Sequence, residues 1–259
     1  MHEILRGLRP GARVLDLGCN SGSFAESATA AQVIRVDRDR GQSPSRYFVQ
    51  ADAAHLPFAD GSLAAIVSNH SLEHFDNLAG ALDEIGRVIA RDGALFVAVP
   101  DASTLTDKLY RWLASGGGHV NAFTSPRDLA AKIESATGLH HIATRTLYSS
   151  LSFLNRRNSP RPIPRRLWLI GAGYEWSLFL YSWFSRRLDR RLNTRTAIYG
   201  WAFYFGQIHA SIDTEAWPNV CIRCGSGVSA GPSSGQLRAL RTWRCPQCGA
   251  LNPWHGTGS

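Results

Sequence analysis

The chain has 259 residues, of which 44% are hydrophobic and 19% charged, a balance that fits a folded globular protein and excludes a disordered one. That length holds one full α/β domain and something small. The formal net charge of +8 is concentrated: residues 151–210 carry ten Arg against Glu175 and Asp189, while the rest of the chain is balanced, so an anionic partner would meet the protein in that window.

Met1–Arg9 has no apolar core long enough for a signal peptide, and any leading helix is short or absent. Five cysteines, four of them in two C-x-x-C pairs, favour a metal in a reducing compartment over a disulfide framework, so a cytoplasmic location is expected.

Val14-Leu15-Asp16-Leu17 reads as a buried parallel strand, Gly18-Cys19-Asn20-Ser21-Gly22 as a small-residue turn, and Ser23-Phe24 as a helix start. Such a unit sets backbone N–H groups and a positive helix end at the sheet edge where open α/β folds bind ligands. Gly18 and Gly22 would let the backbone approach a ligand closely. The spacing is not the dinucleotide fingerprint, because Asn occupies position 20. Val33–Asp37 is a second strand, and Asp37 falls 19 residues after Gly18, near the ~20 of a ribose-binding carboxylate. Arg40–Arg46 is too short and turn-rich for a full helix. Phe48–Asp52 is a third strand, followed by Ala53-Ala54-His55-Leu56-Pro57-Phe58-Ala59-Asp60-Gly61-Ser62.

Ala64–Val67 is strand four, leading into Ser68-Asn69-His70-Ser71-Leu72-Glu73-His74-Phe75. Leu78, Leu82, Ile85 and Ile89 form a helical stripe, with Asp76 as N-cap and Gly93 at C′. Ala94–Val99 is strand five. Ser125, Pro126 and Asp128 occupy the N-cap, N1 and N3 positions of another helix. His140–Leu147 is strand six. Ile198–Ile208 is a late antiparallel strand seven, after an insertion of about fifty residues that exceeds ordinary loop lengths.

The D-x-G-x-x-x-G turn and the D-A-x-x-L-P-F-x-D-x-S segment resemble the class I S-adenosylmethionine-dependent methyltransferases, in particular the type 11-like, small-molecule branch. The resemblance implies an α/β fold: a Rossmann-like, doubly wound, seven-strand, mostly parallel sheet with one antiparallel strand. It further implies S-adenosylmethionine held by Asp16, Gly18, Cys19, Asn20, Gly22, Asp37, Asp52, Ala53 and Asn69. Asp37 would take the ribose hydroxyls, Asp52 the adenine amino group, and the Ala53 backbone would face the ring. Family members usually carry Gly where Asn20 stands, and Asn tolerates left-handed backbone.

By the same resemblance the 68–75 turn lies beneath the methionine half and faces the acceptor. It is not an Asn/Asp-Pro-Pro-Tyr turn, which disfavours methylation of base amino groups. Related quinone-type O-methyltransferases hold a divalent ion with a carboxylate–histidine cluster here. His70 replaces the first carboxylate, so a metal on His70, Glu73 and His74 is not expected. His119 and Phe123 keep the His-x-x-x-Phe spacing of relatives, after Gly116-Gly117-Gly118, a loop suited to a movable cover. A hydroxyl acceptor needs a base; His119 is the first candidate and His74 the second, against the plainer role of packing or hydrogen bonding.

Half the aromatic residues, 13 of 26, lie in 151–210. Leu167–Phe184 is an apolar run interrupted by Glu175, with Trp168, Trp176 and Trp183 along it and Arg165-Arg166 and Arg186-Arg187 at its flanks. Its length is the short limit for a bilayer span, and the carboxylate and two glycines argue against one. A helical lid and a helical pair at an anionic membrane surface, on the inner face, fit equally well; RNA stacking ranks below both.

Cys221-x-x-Cys224 and Cys245-x-x-Cys248, each followed by Gly, resemble a zinc ribbon with a structural Zn²⁺, and Gly225–Gly235 reads as its flexible loop. The chain thus divides into a cofactor-binding domain (1–150), a helical insertion (151–196), a final strand (197–212) and a zinc ribbon (213–259). The expected activity is methylation of a small or lipid-linked acceptor at oxygen. The alternatives are RNA methylation through the ribbon and the Arg-rich segment, or a non-catalytic cofactor-binding scaffold, to which Asn20 is the one hint.

Overall fold

Apolar runs ending in polar residues supply the parallel half of a seven-stranded sheet. The computed structural model describes residues 1–40, 45–104, 107–108, 111, 118–152, 155–157, 173–213, 217–228 and 242–255. A short helix α1 (His2–Gly7) precedes β1 (Arg13–Leu17), β2 (Gln32–Asp37), β3 (Phe48–Gln50) and β4 (Leu63–Asn69). Helix α2 (Leu78–Val88) leads directly into β5 (Ile89–Pro100), and α3 (Pro126–Thr137) into β6 (His141–Tyr148). Helix α4 (Glu175–Leu192) comes before β7 (Ile198–Gly206).

The strand order is β3-β2-β1-β4-β5-β7-β6. The pairs β2–β3, β1–β2, β1–β4 and β4–β5 are parallel. β7 runs antiparallel to β5, since Asp101 N–H donates to Tyr199 O and Gln207 N–H to Gly93 O. It is antiparallel to β6 as well, through Ser149 N–H to Ala197 O and Gly206 N–H to His140 O. The expected mostly parallel sheet with an antiparallel strand is therefore the observed one.

Leu15, Leu17, Ile66, Leu95, Phe203 and Phe205 from the strands and Leu82 and Ile85 from α2 are fully buried in one core. Each such side chain contributes on the order of 1.5–3 kcal/mol. Helix α2 packs closely on the end of α3: a Cβ on Gly86 would lie 2.8 Å from Thr137 Cα. Ser125 caps α3 by accepting from Asp128 N–H, and Gly138 ends it with φ of 69°, as the sequence predicts.

Three local expectations are corrected. No α-helix follows the glycine turn; among the described residues the β1–β2 connection holds only a 3₁₀ turn at Glu26–Ala28, so no helix dipole points at that turn. The N-cap of α2 is Asn77, whose side chain accepts from Gly80 N–H; Asp76 instead pairs with Arg38 at 2.7 Å. Gly93 is not a helix terminator but lies inside β5, where its carbonyl serves β7.

The chain forms two compact units: Met1–Pro100 with Gly118–Arg145 and Trp201–Thr214, and Asp101–Gly117 with Thr146–Gly200 and Glu215–Ser259. In the second unit, α4 is tied to the C-terminal segment. Arg223 pairs in two-pronged fashion with Glu175 (2.6 and 2.9 Å), and Ser182 Oγ lies 3.1 Å from His255 Nε2. Two small hairpins form that segment, β8 (Asn219–Val220) with β9 (Gly227–Val228) and β10 (Thr242–Arg244) with β11 (Leu251–Pro253). Of the apolar run Leu167–Phe184, residues 167–172 lie outside the described residues, as do Gly116, Gly117 and most of Gly225–Gly235. Among the described residues no helix is long and apolar enough to cross a membrane.

Candidate active site

The site is built at the C-terminal ends of β1, β2, β3 and β4. Gly18 and Cys19 N–H both donate to Val36 O (2.8 and 3.1 Å), which folds the turn back over β2. Asn20 adopts φ of 45° and Gly22 φ of 112°, so the small residues do meet a left-handed backbone. Their close approach, however, is to the protein itself. A Cβ on Gly18 would collide with the Ser71 side chain, and one on Gly22 with the Arg35 guanidinium.

Arg35 is the residue that sequence reasoning passed over. It lies in β2, only 4% exposed, and its guanidinium donates to Ser21 O (3.0 Å) and Phe24 O (2.9 Å). These are carbonyls that a helix at this place would have satisfied internally. The one signal was a charge inside an otherwise apolar strand, Val33-Ile34-Arg35-Val36.

The predicted carboxylates gather at this edge. Asp16 is fully buried. Its Oδ2 accepts from Ser23 N–H at 2.9 Å, while Oδ1 has no hydrogen-bond partner among the described residues. Burial pushes its carboxyl up, opposed by the Ser23 hydrogen bonds and by Arg35. Asp37 Oδ2 accepts from Asn20 N–H at 2.8 Å, which couples the glycine turn to the end of β2. Asp52 is exposed just past β3 and accepts from Ala54 N–H at 2.8 Å; Ala53 is buried beside it. Burial raises the Cys19 thiol to about 12, so it stays protonated and unreactive. Asn69 ends β4, opposite Ala98 of β5.

A second layer fixes these pieces. Ser71 Oγ donates to Leu17 O (2.9 Å) and touches Ser68 Oγ at 2.5 Å, anchoring the 68–75 turn on β1. Arg87 on α2 binds Glu84, Asp60 and the carbonyls of Leu56 and Phe58, clamping the Leu56-Pro57-Phe58 segment. This arginine was also missed.

His74 and His119 come together. Their rings meet edge to face with centroids 4.8 Å apart. His74 Nδ1 lies 2.9 Å from Gly118 O; a carbonyl only accepts, so in the neutral ring Nδ1 carries the proton and Nε2 the lone pair. Val120 and Asn121 N–H both donate to Glu73 O, and Asn121 Nδ2 donates to Leu72 O and Phe75 O. The His119 segment is thereby fastened to the 72–75 turn. His70 lies with its Nδ1 3.8 Å from Glu73, and burial, helped by His119 and His74, pushes it down to about 4. Phe123 is buried in the core.

In the second unit the four predicted metal cysteines converge, with their sulfurs all within 4.8 Å of one another. Cys221 and Cys248 sulfurs are 3.5 Å apart, Cys224 and Cys245 3.6 Å, close to the ~3.8 Å edge of a tetrahedron with 2.3 Å Zn–S bonds. The two knuckles repeat one another. Gly225 N–H donates to Cys221 O and Gly249 N–H to Cys245 O, and each first cysteine donates its N–H to the residue after the glycine.

A doubly wound sheet with a glycine turn and carboxylates at its C-terminal edge is the arrangement of S-adenosylmethionine-dependent methyltransferases. The chain belongs to the methyltransferase domain family, whose family model matches residues 1–139. It is 29% identical over 196 residues to the malonyl-[acyl-carrier protein] O-methyltransferase of Methylococcus capsulatus, covering 64% of this chain and 71% of that protein. It is 38% identical over 101 residues to the demethylmenaquinone methyltransferase of Beutenbergia cavernae, spanning 36% of this chain and only 42% of that protein. The fold is similar to a solved S-adenosylmethionine-dependent methyltransferase of Archaeoglobus fulgidus, with a TM-score of 0.53 at 18% identity, covering 78% of this chain and 87% of that one.

Proposed function

We propose that this methyltransferase acts on an oxygen atom of a small or lipid-linked acceptor, and that the His74–His119 pair receives the acceptor's proton. The observation that carries the reading is the polarity of His74: with Nδ1–H given to Gly118 O, Nε2 is the ring atom able to accept. S-adenosylmethionine, when bound, supplies an electrophilic methyl group. The partnerless Asp16 Oδ1 and the exposed Asp52 fit a polar ligand at this edge, with Asp37, Asp52, Ala53 and the 18–22 turn as its cradle. The chain's own part is to align the acceptor, worth ~7–11 kcal/mol, and to take a proton, worth about 10²–10⁴-fold. The O-methyltransferase among its relatives supports oxygen as the target.

Calorimetry on the purified chain should show S-adenosylmethionine binding that the Asp37→Ala/Asp52→Ala double variant loses. Undiminished binding in that variant overturns the cradle. In a methyl-transfer assay on cell extract, with membranes present or removed, His74→Ala and His119→Ala should lower kcat by about 10²-fold or more with binding of the donor intact.

We also propose that α4 rests on an anionic lipid surface. Trp176, Leu180, Trp183 and Arg187 recur at helical spacing on one face, with Phe184 and Arg191 beside them. Trp176 is 62%, Leu180 53% and Phe184 60% exposed, and with Tyr181 and Trp183 they line a shallow apolar groove. Arg187 lies over the Trp183 ring at 5.1 Å. An aromatic patch running into arginines suits the headgroup boundary better than a phosphate groove. The protein should cosediment with phosphatidylglycerol vesicles and not with phosphatidylcholine ones, and Trp176→Ser/Phe184→Ser should weaken this at least tenfold. Salt-sensitive binding to RNA without vesicle binding would favour the RNA reading instead. For the Cys₄ cluster we propose a structural Zn²⁺, since a closed thiolate set has no open position.

A further inference from the structure

We infer that Glu73, His74 and His119 form a site for a single divalent transition-metal ion, and that its occupancy competes with proton transfer at the same histidines. The sequence offered a different trio, His70, Glu73 and His74, with a histidine where a carboxylate is wanted. The fold instead brings His119 from the segment before α3 into the third place. The candidate ligand atoms of Glu73, His74 and His119 all lie within 4.8 Å of one another. A site with 2.0–2.1 Å bonds needs ligands ~3–3.5 Å apart, a difference that side-chain rotation covers.

Three further features make this more than a chance cluster. The donor set is two imidazoles and one carboxylate, the composition that binds zinc, iron or nickel while leaving coordination positions open. His74 already has the outer hydrogen bond that metal-bound histidines make, Nδ1–H to the Gly118 carbonyl, which leaves Nε2 as the nitrogen able to ligate. The backbone is held in place as well: the two N–H bonds to Glu73 O and the two amide bonds from Asn121 keep the three side chains at one corner. The carboxylate is buried and His74 exposed, so an ion has an anionic floor and an open approach.

The inhibitory part rests on the reading that these histidines take the acceptor's proton. An ion on His74 Nε2 uses the lone pair that would accept it, so the apo protein is the active one.

The test uses the full chain, first loaded with one equivalent of Zn²⁺ so that the four cysteines are filled, and then titrated with Ni²⁺ by calorimetry. One Ni²⁺ per chain should bind. Glu73→Gln and His119→Ala should each weaken it at least tenfold with unchanged thermal melting, while His140→Ala, on an exposed histidine elsewhere, should leave it intact. No saturable binding, or binding indifferent to Glu73→Gln and His119→Ala, overturns the site. Methyl transfer measured along the same titration separates the two claims. A rate that falls with occupancy supports both. Full activity with Ni²⁺ bound keeps the site but rejects the base assignment and the inhibition that follows from it.

Discussion

Arg35 shows how one side chain can replace an element. The stretch between β1 and β2 has no α-helix, and two of its carbonyls are served by a guanidinium reaching from β2. Two charge-assisted hydrogen bonds at ~1.5–3 kcal/mol each are at stake. Arg35→Met should therefore cost about 3 kcal/mol or more in urea unfolding and also lower affinity for S-adenosylmethionine, because the turn it supports would loosen. Gly22 was legible as a glycine position, but the reason was not: nothing in the local sequence reveals that Arg35 lies beneath it. A strand-interior charge marks that something must pair with it, and the sequence does not say what.

At the scale of elements, legibility followed locality. The start and stop of α3 are written in Ser125, Pro126, Asp128 and Gly138, all adjacent in the chain, and the structure agrees. The end of α2 was misread because Gly93 looks like a terminator, whereas its carbonyl is needed by Gln207, more than a hundred positions away. Helix α4 is held at its middle by His255, which burial, aided by Arg186 and Arg190, pushes down from 6.5 to about 3. The folded state thus refuses a proton that the unfolded chain accepts below pH 6.5, so stability falls as pH drops from 6.5 towards 3. At pH 5 the loss should be about 2 kcal/mol. Urea melts at pH 7 and pH 5 should show it in the wild-type chain, and His255→Gln should flatten that difference.

For the molecule as a whole, the sheet and the gathering of acids at its edge were readable because apolar strands ending in acids recur at short intervals after a glycine turn. The joining of α4 to the cysteine knuckles was not, since Glu175–Arg223 and Ser182–His255 link segments whose sequences give no hint of each other. That joining makes a prediction about zinc. If the proposed Zn²⁺ holds the four cysteines, stripping it with a strong chelator should melt the knuckles and also loosen α4, seen as faster hydrogen exchange across 175–192. Exchange in β1, β4 and β5, which lie in the other unit, should stay slow.

The placement of β7 has a consequence for biosynthesis. Among the described strands, β6 stands at the sheet edge with β7 as its one neighbour, and β7 also covers the outer side of β5. While the ribosome is still making the arginine-rich stretch, β6 has nothing to pair with and β5 presents a bare hydrogen-bonding edge. The nascent chain carries two open strands at that stage, a hazard for association with its neighbours. It ends only when residues 198–206 emerge and slot between them.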